Sequence, residues 1–164
     1  MVQSTKLESW YAAFAAAHLP WVEHANFVAA QWGKLLLNLN NPIDVLSGLP
    51  LKTQLAQRAY RRCFAVLMRE TFEVFDLAGV VPARVVQLGP RLLPLVRGLP
   101  EVLFSRVARA MLRMNPQARS SMWEGLQAGR RTEVDCLNGA VIALAESLGM
   151  QAPSIAEYLI GSAR

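Results

Sequence analysis

The chain has 164 residues, 53% of them hydrophobic and 18% charged, with a net charge of +5. This composition excludes a disordered segment, which needs low hydrophobicity and high charge, and the length suits one well-packed domain better than two. The charged fraction is below the about 25% usual for soluble domains, which points to surface that another domain or subunit covers.

Apolar residues recur at three- and four-residue spacing almost throughout and no stretch alternates, so the expected fold class is all-α, a single helical domain over 1–164. Lys6 to Ala17 reads as a first helix, stopped by the His18-Leu19-Pro20 run. Asn26 to Leu39 reads as a second, with Asn26 as N-cap and Pro42 beyond its end. The stretch NNPIDVLSGLP is rich in turn residues and is expected to be a loop with one short turn. Thr53 to Ala78 is patterned as one long amphipathic helix, closed by Gly79 and Pro82.

From Val80 to Pro100, prolines and glycines permit only short helices and turns. Pro100 can open a helix running to Met114. Ser121 with Glu124 three residues later forms a capping box for a short helix ending near Gly129. Thr132, followed by Asp135, opens the last long helix, which Gly149 ends; a short helix follows Pro153. The most apolar run, Cys136–Ala145, is about half the ~20 residues of a membrane span. The N-terminus has no secretory pattern, and Cys63 and Cys136 fit free thiols, so a soluble cytoplasmic chain is expected.

Two groups of polar residues stand out. If the second helix reaches Asn41, then Lys34, Asn38 and Asn41, at i, i+4 and i+7, form one polar stripe on an otherwise apolar helix. That stripe is either a pocket wall or a snorkelling lysine with asparagines capping the helix end. Further on, Ser121 and Glu133 lie at consecutive helix starts, where backbone amides and the helix dipole favour an anion. Each also reads as an ordinary helix-start residue, with Arg130 and Arg131 as nearby ion-pair partners.

Between Arg84 and Arg119, seven arginines stand against one acid, Glu101. They are dispersed and not interleaved with aromatic residues, so a solvated face is the simpler reading and nucleic-acid binding is not expected. His18 and His24 have no partners at ligand spacing, and no metal site is expected. A glycine-rich phosphate loop is missing too.

Taken together and in this order, the two polar groups resemble the C-terminal domain of the ketopantoate reductase family. One signature, W-x-K-L-x-x-N followed by N-P, is matched by Trp32, Lys34, Leu35, Asn38, Asn41 and Pro42. The other is matched by Ser120, Ser121, Met122, Arg130, Thr132, Glu133, Asp135, Asn138 and Gly139. The resemblance runs from about Leu7 to Ile160. It implies a helical domain of the 6-phosphogluconate dehydrogenase C-terminal-like kind, whose enzymes reduce a 2-oxo acid with NADPH bound mainly by an N-terminal Rossmann domain. That domain has no counterpart in these residues and is expected in cis or in trans, and a homodimer is a further expected association.

The resemblance also assigns roles. Lys34 would be the general acid, Glu133 would hold the substrate hydroxyl beside the amine, Asn38 and Asn41 would contact substrate, and Ser121 would take the carboxylate. Gly125, Leu51 and Ala118 replace polar residues of the family pattern, which shifts the expectation from ketopantoate toward a different 2-oxo acid or ketone. The alternative function is a non-catalytic helical module for dimerisation or ligand binding.

Overall fold

The computed structural model describes residues 4–20, 26–109, 113 and 115–162. His24 lies outside them. Every regular element among the described residues is helical: α1 (Ser4–Ala16), α2 (Phe27–Asn38), α3 (Asn41–Ser47), α4 (Leu51–Ala56), α5 (Arg58–Ala78), a 3-10 turn (Pro90–Leu92), α6 (Leu93–Gly98), α7 (Glu101–Val107), α8 (Ser121–Gln127), α9 (Val134–Ser147) and α10 (Pro153–Ser162). The all-α expectation is met. No helix among the described residues is long and apolar enough to cross a membrane.

The core is built around α5, whose Phe64, Leu67, Met68, Phe72 and Phe75 recur at helical spacing and share one face. Leu35 and Leu36 of α2, Leu39 just after it, Ile43 of α3, Leu93 of α6, Val141 of α9 and Ile155 of α10 close over it. Trp32 meets Phe75 edge-on at a centroid distance of 5.1 Å, setting α2 against α5. Gly79 ends α5 in the left-handed conformation at φ 67°, as its position after Ala78 led one to expect. The Glu70 carboxylate, also on α5, accepts from the Ser154 and Ile155 amides at 3.0 and 2.8 Å and so caps α10.

Five local expectations are corrected. The long helix from Thr53 breaks at Gln57, which is extended at ψ 124° and divides α4 from α5. Arg61 explains how the break is tolerated. Its buried guanidinium donates to the Leu55 and Ala56 carbonyls at the end of α4 (2.9 and 2.7 Å) and to the Arg97 and Leu99 carbonyls at the end of α6 (3.3 and 2.9 Å). One side chain thus satisfies orphan carbonyls from two helix ends, while its charge stacks over Phe104. Burial lowers the Arg61 pKa from its ordinary value.

The expected loop after Asn40 is instead helix α3, with Pro42 in its first turn. Asp44 on this helix is fully buried and accepts from both the amide and the hydroxyl of Ser120, at 2.8 and 2.6 Å. These bonds tie α3 to the start of α8. Alongside, Asn40 and Gln54 exchange reciprocal amide hydrogen bonds of 3.2 Å, joining the α2–α3 turn to α4.

The helix expected to reach Met114 ends at Val107, and part of that stretch, including Met114, lies outside the described residues. The cap of α8 falls one residue earlier than expected, on Ser120, whose Oγ accepts from the Trp123 amide at 3.2 Å. Helix α9 begins at Val134 with Glu133 as N-cap residue, so Thr132 does not cap it.

Candidate active site

Helix α2 turns one face to the core and another to a cleft of about 810 Å³. The cleft face carries Phe27, Ala30, Gln31, Lys34 and Asn38, spaced three and four residues apart. The polar stripe read from Lys34 through Asn38 therefore exists, but it continues backward to Gln31 and not forward to Asn41. Helix α2 stops at Asn38, and Asn41 is buried as the first residue of α3.

The opposite wall comes from the start of α9, where Glu133, Cys136 and Leu137 face the cleft. Lys34, Asn38 and Glu133, drawn from the two separate sequence motifs, are thus brought to one cavity. Lys34 and Glu133 are exposed and form no ion pair with each other. This chain by itself leaves Lys34 in reach of solvent, because one side of the cleft is open. Ser121 is not among the lining residues. It opens α8 with an exposed side chain.

The third wall was not foreseen. The strap after α5 crosses α2, where the Ala83 amide donates to the Ala29 carbonyl at 2.8 Å, and it places Arg84 and Val85 at the cleft. Gly33 allows this approach: a β-carbon there would stand 2.3 Å from the Ala83 carbonyl oxygen and 2.8 Å from Val85 Cγ2. A glycine inside a good helical pattern was the available signal, since it costs helix stability and usually marks a close approach.

Two amides and three charged groups on an apolar lining suit recognition of a small polar molecule. The amides and cations can donate hydrogen bonds to oxygen, Glu133 can accept them, and Lys34 can deliver a proton. No group of three or more His, Cys, Asp or Glu among the described residues could hold a metal ion.

These features describe an all-helical domain with a polar-lined cleft between α2 and the start of α9. The chain belongs to the ketopantoate reductase family, with residues 26–160 matching the family described as ketopantoate reductase PanE/ApbA, C terminal. Its fold is similar to the crystal structure of a PanE/ApbA family ketopantoate reductase from Ralstonia eutropha JMP134, with TM-score 0.69 and 25% sequence identity. The match covers 93% of this chain and 46% of that one, so the chain spans less than half the length of its relative. A comparison with curated proteins finds no match.

Proposed function

We propose that this chain is the substrate-binding and proton-donating domain of a ketopantoate reductase-like oxidoreductase, which reduces a 2-oxo acid when combined with a Rossmann domain in cis or in trans. The observation that carries this reading is the convergence of Lys34, Asn38 and Glu133 on one cleft.

The lining fits the ketone end of such a reaction and not a dinucleotide. Neither a strand nor a glycine-rich loop is present among the described residues to hold one. NADPH is therefore assigned to the Rossmann domain, where it would supply the hydride. On this chain, Lys34 Nζ gives a proton to the carbonyl oxygen as that oxygen gains negative charge. The Asn38 amide orients the substrate, and Glu133 accepts from a substrate hydroxyl while holding the amine's positive charge in place. A Rossmann domain over the open side would exclude water and strengthen these electrostatic contacts.

The test is turnover of a 2-oxo acid by this chain joined to a Rossmann domain with NADPH. Lys34→Ala should lower kcat by about 10²-fold or more, and near-full activity in that variant would remove Lys34 from the role. The second reading, a non-catalytic helical dimerisation module, is favoured by the exposed Val102, Leu103 and Val107 on α7. It predicts self-association of the chain with no 2-oxo acid binding.

A further inference from the structure

The cleft holds one charged residue that belongs to neither family motif. Among the arginines of the Arg-rich segment, Arg91 pairs with Asp76, Arg97 is buried against Phe64, and Arg119 stacks on Trp123. Arg84 alone of the segment's described arginines lines the cleft.

Its place is fixed from both sides. Ala83 is bonded to α2 through Ala29, and Val85 packs against Gly33, so Arg84 sits between two anchored residues, next to the turn of α2 that carries Lys34. Its Nε donates to the Val86 carbonyl at 3.1 Å, which orients the guanidinium and leaves both Nη groups available. Lys34 and Arg84 face a single carboxylate, Glu133, so the lining carries one positive charge in excess.

We propose that Arg84 reads the carboxylate of the substrate and so makes the cleft selective for a monoanionic 2-oxo acid over a neutral ketone. This rests on the reading of Lys34 as the group that faces the carbonyl. In a 2-oxo acid the carboxylate is bonded to the carbonyl carbon, so its partner must lie beside Lys34, and a guanidinium meets a carboxylate with two parallel hydrogen bonds. Ser121 lies outside the lining and leaves this task open. A nucleotide phosphate would present the same anionic chemistry, but its several charges exceed the single surplus in the cleft.

The experiment titrates the full chain with 2-oxo-3-methylbutanoate, with the carboxamide of that acid and with NADP+, following amide NMR shifts in wild type, Arg84→Gln, Arg84→Lys and Lys34→Ala. Circular dichroism checks that each variant keeps its helices. Arg84→Gln should weaken the acid by about tenfold while the carboxamide binds as in wild type and NADP+ shifts no amide at the cleft, and Arg84→Lys should recover part of the loss.

Unchanged acid binding in Arg84→Gln, with loss in Lys34→Ala, would overturn the role of Arg84 and leave the proposed function standing. NADP+ shifts at the cleft of the wild-type chain that Arg84→Gln abolishes, with acid binding unchanged, would reassign Arg84 to the nucleotide and overturn the proposal. Wild-type chain with no shifts at the cleft on addition of the acid would overturn both.

Discussion

Gly33 lies so close beneath Ala83 that a β-carbon at residue 33 would stand 2.3 Å from the Ala83 carbonyl oxygen. The contact is with backbone on one side and with the Val85 side chain on the other, so neither can simply swing away. Gly33→Ala must push the strap off α2 or shift the helix, and overpacking of this kind costs about 1–3 kcal/mol. Intrinsic helix propensity would by itself favour alanine at this position. Chemical denaturation should therefore show a loss of stability where propensity predicts a gain. A stabilised variant would mean that the strap does not lie against α2.

The Asp44–Ser120 pair makes a second prediction. Asp44 is fully buried, and its Oδ2 takes both the amide and hydroxyl of Ser120 while Oδ1 finds no partner among the described residues. Ser120→Ala removes the hydroxyl bond to a buried carboxylate and also the cap on the Trp123 amide. The expected loss is about 1–3 kcal/mol. In a double-mutant cycle with Asp44→Ala the two changes should be strongly non-additive, because each removes the other's partner. Additive losses would show that the bond contributes little.

Much of this architecture was legible because helical spacing is a local signal. Helices α2, α5 and α9 were readable from their apolar faces, and Gly79 and Asn26 marked ends that the structure retains. What was not legible depended on residues far away in the chain. The break at Gln57 is stabilised by Arg61 bridging to carbonyls near residue 98, and helix α3 is held by a buried carboxylate whose partner is Ser120. The cleft divides the same way. Lys34, Asn38 and Glu133 were found by motif, whereas Arg84 reaches the cleft through a strap crossing that only Gly33 hinted at. Asn41 was assigned to the stripe on the assumption that α2 continued, and the turn at Leu39 and Asn40 removes it.

Arg97 makes the last prediction, and its sign is opposite to that of most buried residues. Its guanidinium lies 4.0 Å over the Phe64 ring, with Nε and Nη1 buried and unpartnered among the described residues. Burial, and then the neighbouring charge of Arg61, pulls its pKa from the ordinary arginine value down to about 10. A cation whose folded pKa is depressed costs stability wherever it is protonated in both states, and this cost disappears only as pH rises above about 10. Arg97→Met keeps the volume over Phe64 and removes the charge. Replacing a poorly compensated buried charge with an apolar side chain of similar size should stabilise the chain by about 1 kcal/mol. That gain should be flat over roughly pH 6 to 9, where Arg97 stays protonated folded and unfolded. A variant less stable than wild type across this range would mean that the stacking on Phe64 outweighs the desolvation of the charge.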